Sequence, residues 1–192
     1  MGPWQHYCPA VFTMESLSSP RFRRLTDKVG CSQVALSRLG TDTMHLVAAS
    51  CISRTHDGKT INGHGLRIWN LQDGLLDLVY CDASDIASMT TGMICGKDVV
   101  ATCRVRPSME DSETTRMEIS LSHLETGKLA VLWECSVRVP FERSPTVPIG
   151  SPQMLIADAN DDGLSELLVV VPEAGILVFG AKSGDSTNLA QP

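Results

Sequence analysis

The stretch Leu66-Arg67-Ile68-Trp69-Asn70-Leu71-Gln72-Asp73-Gly74 is an apolar run with alternation that breaks into a polar turn closed by glycine. A second run, Ile119-Ser120-Leu121-Ser122-His123-Leu124-Glu125-Thr126-Gly127, has the same form. A third copy, shorter inside, ends Ile176-Leu177-Val178-Phe179-Gly180-Ala181-Lys182-Ser183-Gly184. Val47 and Gly74 recur as Val100 and Gly127, each 53 residues further on. Alternation with period two is the pattern of a half-buried strand. Strand units that return at a fixed interval of this size indicate stacked sheets, such as propeller blades. The expected fold is therefore all-β. It is a partial β-propeller of about three antiparallel four-stranded blades, near 31–82, 84–138 and 150–184, the last incomplete.

Working outward, the first unit holds strands at Ser32 to Leu39, Met44 to Ile52, Leu66 to Leu71 and Leu75 to Cys81. A polar loop from Arg54 to Gly65 carries two turn pairs, Asp57-Gly58 and Asn62-Gly63. The second unit holds strands at Ile86 to Thr90, Val99 to Val105, Arg116 to Leu121 and Lys128 to Val137, with a polar, acidic insertion from Pro107 to Thr115. Ser108 and Ser112 lie in that insertion, where a plain solvated loop is the favoured reading over phosphorylation. A Pro-rich link, Pro140 to Pro152, leads to strands at Gln153 to Ala157, Glu166 to Val171 and Gly175 to Phe179. No fourth strand is evident after Gly184, and 185–192 is expected to be a disordered tail. Residues 1–30, with Pro3, Pro9 and Pro20, form an irregular segment. Propellers close with roughly four to eight blades, so this chain is expected to be a shortened form or fragment of a longer propeller. Its open rim needs a partner to cover it.

The 192 residues are enough for a real core, with 43% hydrophobic and 20% charged residues. A net charge of −6 argues against a nucleic-acid surface. The basic cluster Arg21-Phe22-Arg23-Arg24 reads as a solvated turn before the first strand. Seven cysteines, an odd number without a C-x-x-C pair, read as free thiols in a reducing compartment, with Cys51, Cys103 and Cys135 in apolar runs. Neither a signal peptide, a myristoylation pattern, a membrane-length apolar run nor an Asn-x-Ser/Thr sequon is evident. These readings point to a cytoplasmic or nuclear location.

Two resemblances follow from these residues. Gly65-Leu66-Arg67-Ile68-Trp69-Asn70-Leu71-Gln72-Asp73-Gly74 resembles the end of a WD40 blade, with Asn70 standing where that family has Asp. Asp158-Ala159-Asn160-Asp161-Asp162-Gly163-Leu164-Ser165-Glu166-Leu167, followed by Leu168-Val169-Val170-Val171-Pro172, resembles the FG-GAP repeat of integrin α-subunit propellers over about one blade. That resemblance implies a calcium loop between two strands. Cytoplasmic propellers with isolated loops of this kind, kaptin and Bardet–Biedl subunits among them, serve multi-subunit complexes, and the resemblance implies the same here.

The residues themselves support two readings of this loop. Asp158, Asn160 and Asp162 alternate, Gly163 permits a sharp turn, the Leu164 carbonyl is available and Glu166 can close the shell with two oxygens. Such hard oxygen donors suit calcium. An EF-hand fits less well, because its twelfth position would be Val169 and its exit would be a helix rather than a β-branched run. The other reading is a metal-free hairpin in which Asp and Asn bond their own backbone. Low cytosolic calcium favours the hairpin.

No catalytic set emerges. His6, His45, His56, His64 and His123 are scattered, and none stands in a recognised order with a nucleophile. The loop His56-Asp57-Gly58-Lys59 enters a strand, whereas a phosphate cradle would enter a helix. Trp69 and Trp133 are expected to serve blade packing before partner binding, and Met89, Met93 and Met117 to fill the core. The expected function is a non-enzymatic propeller scaffold that binds other protein subunits, with no nucleic acid and no membrane. The rival readings are an extracellular calcium-dependent adhesion module and, more remotely, a propeller hydrolase.

Overall fold

Alternation along the chain becomes thirteen strands and no helix among the described residues. The computed structural model describes residues 10–14, 20–24, 31–56, 59–72, 75–82, 86–107, 114–140, 152–172 and 174–180. Strands β1 (Ala10–Met14) and β2 (Pro20–Arg24) form an antiparallel pair. The first four-stranded sheet is β3 (Cys31–Ser37), β4 (His45–His56), β5 (Lys59–Gln72) and β6 (Leu75–Asp82), in chain order. The second is β7 (Ser88–Ile94), β8 (Lys97–Pro107), β9 (Thr114–Glu125) and β10 (Lys128–Pro140). The third has three strands, β11 (Gln153–Ala157), β12 (Glu166–Val171) and β13 (Gly175–Phe179). Every pairing is antiparallel. No helix of the described residues is long and apolar enough to cross a membrane.

The three strands of the last sheet match the sequence expectation residue for residue. Elsewhere the structure corrects it. The expected loop from Arg54 to Gly65 is mostly strand: β4 runs to His56, β5 starts at Lys59, and Asn62-Gly63 pairs with Ser53 and Ile52. A β ladder uses main-chain groups that polar residues also have, and Ile52, Thr55, Thr60 and Ile61 favour extended backbone. The segment 1–30 holds the β1–β2 hairpin, and Arg21 to Arg24 lie in its second strand instead of a turn. The first strand of the second sheet lies further on than expected, because Gly92 does not break it. Residues 108–113, 141–151 and 181–192, with the expected acidic insertion, most of the Pro-rich link and the tail, lie outside the described residues.

Packing stacks the sheets in chain order. Val47, Ala49, Leu66 and Ile68 of the first sheet meet Met89, Val100 and Leu124 of the second in one buried cluster. The opposite face of the second sheet, with Val99, Ala101, Cys103, Met117, Ile119 and Leu121, meets Leu167, Val169, Val171 and Phe179 of the third. The middle sheet is therefore covered on both faces, as a strand layer between two others must be to bury its apolar rows. The first strands of successive sheets are neighbours: β3 adjoins β7, and β7 adjoins β11. Gln33 links two of them by accepting from Met89 N at 2.6 Å. Leu124 N donates to the Leu39 carbonyl at 3.1 Å, a second tie between the first and second sheets.

The 53-residue interval holds at one pair of turns but not along every strand. Gln72 pairs with Leu75 and Glu125 with Lys128, so the β5–β6 and β9–β10 turns are 53 residues apart. The Thr126-Gly127 turn has positive φ at both residues, 49° and 76°, the backbone of a two-residue hairpin turn matched to strand twist. A bulge also repeats at this interval, with Val79 extra opposite Ile68/Trp69 and Leu132 extra opposite Leu121/Ser122. The neighbouring strand is offset. Val47 pairs with Ile68, whereas the partner of Leu121 is Ala101, 54 residues beyond Val47. Val47 and Val100 are thus not equivalent positions. A one-residue slip reverses the face, and the two valines meet in the same cluster from opposite sheets.

Candidate functional site

Two features of the third sheet are candidates: its outer face and the loop that joins its first two strands. Leu155, Leu168 and Val178 form one cross-strand row, and Val170 and Ile176 stand side by side in the next. They alternate with the residues buried against the second sheet, so period two turns all five to the other face. Leu155 is 56% exposed, Val170 42%, Ile176 61% and Val178 46%. The corresponding rows of the other sheets are covered. Val47 and Ile68 are buried by the second sheet, and Ala101 and Leu121 by the third. The third sheet thus presents the kind of row that, elsewhere in this chain, packs against a following sheet. Single exposed aliphatic residues are ordinary, but a contiguous apolar face marks an interaction surface.

The loop brings Asp158, Asn160 and Asp162 together. Asp158 Oδ1 accepts from Asp162 N at 3.2 Å and its Oδ2 from Gly163 N at 2.8 Å. Asn160 Oδ1 accepts from Asp162 N at 3.0 Å, and its Nδ2 donates to Asp162 Oδ2 at 3.0 Å. Asp162 Oδ1 accepts from Leu164 N at 2.8 Å. Asp161 and Gly163 have positive φ, 61° and 84°, as a tight turn of this kind requires. Glu166 is buried beneath the loop and accepts from Ala159 N at 2.8 Å. Its Cγ also closes on Gly180, where an added Cβ would stand 3.2 Å away.

The five expected calcium ligands therefore divide. Three share the turn, Leu164 enters it through its N–H, and Glu166 braces it from the buried side. Apart from Asp162 Oδ2, which accepts from the Asn160 amide, the bonded side-chain oxygens accept from main-chain N–H groups. Among the described residues no three His, Cys, Asp or Glu side chains group so as to hold a metal ion. In this arrangement the side chains of Asp158, Asn160 and Asp162 hold the turn through its main-chain N–H groups.

The remaining candidates take structural places. Buried His45 has its Nδ1 3.5 Å from Thr41 Oγ1, and His123 Nε2 lies 3.8 Å from Glu125 Oε2. His6, and the side chains of His56 and His64, lie outside the described residues. Trp69 is buried, and Trp133 packs edge-on against Phe179 with ring centroids 5.3 Å apart. Met89 and Met117 are core residues, but Met93 is exposed. Cys81, Cys95, Cys103 and Cys135 are free thiols. Compared with known proteins, the chain matches no protein-family model and no curated protein sequence.

Proposed function

We propose that this chain is a non-catalytic scaffold of β-propeller type that works inside the cell by binding other protein subunits. The observation that carries this reading is the outer face of the third sheet. Its aliphatic rows belong to the same architecture that buries the corresponding rows of the first two sheets. Covering Ile176, Val178, Leu155 and Val170 would contribute roughly 25 cal/mol for each Å² of apolar surface removed from water. The resemblance to WD40 and FG-GAP propellers supports the same reading, as do the free thiols of Cys81, Cys95, Cys103 and Cys135 among the described residues.

The test substitutes Ile176→Lys and Val178→Lys together. Both positions are about half exposed or more, so the isolated chain should keep its melting temperature. The wild-type chain should form a defined complex with partner subunits, and the double variant should lose them. The reading falls if the wild-type chain is a stable monomer that binds no partner, or if the double variant keeps the same partners as the wild type.

A further inference from the structure

We propose that the free edge of β13 takes a fourth strand from a partner protein, an extended segment with aliphatic side chains at alternate positions. This deepens the scaffold reading and rests on it. The first and second sheets have four strands each, and the third has three among the described residues. Strand β13 pairs with β12 on one side and has no described strand on the other. In an antiparallel sheet the main-chain N–H and C=O groups point alternately to either side, so an edge strand leaves half of them unpaired.

Stacking marks where the added strand would lie. First strands adjoin first strands, β3 beside β7 and β7 beside β11, and the fourth strands β6 and β10 adjoin each other. Val79 and Tyr80 of β6 and Leu129 of β10 pack against the buried cluster between those two sheets. On its other face β10 presents Trp133, Cys135 and Val137 to the third sheet, in register with Leu121, Ile119 and Met117. Trp133 reaches Phe179 at the end of β13, and both Trp133 and Val137 stay half-buried. A strand beside β13 would continue the third sheet along β10, as β6 does on the opposite face.

The edge is also unguarded. Exposed edges are commonly protected by charge or proline. Strand β6 carries Asp77 and Asp82, and β10 carries Lys128, Glu134 and Arg138. Gly175-Ile176-Leu177-Val178-Phe179 carries no charge and no proline. Side chains of an added strand would meet Trp133 and Val137 on one face and extend the exposed row that ends at Val178 on the other. The sequence beyond the third turn is not built for this. After Gly74 and Gly127 come Leu75-Leu76-Asp77-Leu78 and Lys128-Leu129-Ala130-Val131, but after Gly184 comes Asp185-Ser186-Thr187-Asn188. The described strands of a second copy are already paired within their own sheets. A segment of a different protein therefore suits the edge best, held by main-chain bonds, with side chains giving selectivity.

Fluorescence anisotropy of the full chain with a labelled peptide of residues 75–82, serine replacing its cysteine, tests the edge, since this segment is the fourth strand of the first sheet. Saturable binding is expected. N-methylation of one alternating set of peptide nitrogens should weaken it about tenfold or more, the effect of losing two main-chain hydrogen bonds, and methylation of the other set should leave it within about twofold. With Val178→Cys, peptides carrying a single cysteine should form disulfides at every second position, above the level that Cys81 gives in the wild-type chain. No binding, or equal binding by the plain and methylated peptides, overturns the inference, and equal binding leaves the scaffold reading standing on the outer face of the sheet. A dimer of the chain alone that the peptide dissociates assigns the edge to a second copy and overturns the inference as well. A chain that binds the peptide in this pattern but recovers no partner subunit fails the scaffold reading, and the inference with it.

Discussion

Gly92 of β7 lies directly against Ile156 of β11. A Cβ at Gly92 would stand 2.8 Å from Ile156 Cγ2 and 2.9 Å from its Cβ. These atoms sit at the root of a β-branched side chain, which cannot swing aside. Gly92→Ala should therefore destabilise the chain by about 1–3 kcal/mol through overpacking. Chemical denaturation of the single and double variants checks this. Adding Ile156→Ala should recover part of the loss, and strictly additive effects would show that the two positions do not touch.

The acidic loop gives a second prediction. Asp158→Ala removes the acceptors for Asp162 N and Gly163 N and should cost about 1 kcal/mol. Millimolar calcium should leave the melting temperature of both the wild-type chain and the variant unchanged. A rise on adding calcium to the wild-type chain, absent in Asp158→Ala, would show instead that these oxygens turn to a metal.

The thiols give a third. Burial pushes Cys103 up to about 12, with Cys135 adding to the effect, and burial pushes Cys135 up to about 11, from an ordinary 9.0. The folded state thus favours the protonated thiols. Below pH 9 both states are protonated and stability is complete. Above it the unfolded chain ionises first, so stability falls by up to roughly 1.4 kcal/mol per pH unit per thiol until the folded thiols also ionise. Denaturation midpoints between pH 8 and pH 11 measure the slope. In the native chain at neutral pH, a thiol reagent should modify exposed Cys81 and leave Cys103 and Cys135 untouched.

The Trp133–Phe179 contact gives a fourth. Phe179 is fully buried and spans the second and third sheets through the indole. Phe179→Ala should cost about 3–5 kcal/mol. It should also shift tryptophan emission to longer wavelength, because Trp133 gains water on the side that the ring covered. An unchanged emission maximum in a folded variant would contradict the assigned contact.

The strands of the third sheet were legible because short apolar runs are bounded there by polar turns. The long β4–β5 hairpin was not, since Ser53, Thr55, Thr60 and Asn62 look like loop residues and pair only because each strand supplies the other's ladder. The acidic motif was legible as spacing, but sequence carries no information on whether its oxygens face a cation or the backbone. An arginine row of the second sheet was invisible for a different reason. Arg106, Arg116 and Arg138 are remote in sequence and become neighbours through the register of three strands. The turn glycines mark the 53-residue interval, whereas Val47 and Val100 share a residue type but face each other from opposite sheets.

That offset governs how the chain could be re-engineered. The second strand of one sheet can replace that of the next only if the splice follows the 54-residue correspondence of Val47 with Ala101, while the third strand follows the 53-residue correspondence of Ile68 with Leu121. A cassette cut to one constant length would invert the transplanted strand, turning each of its faces toward the wrong neighbouring sheet.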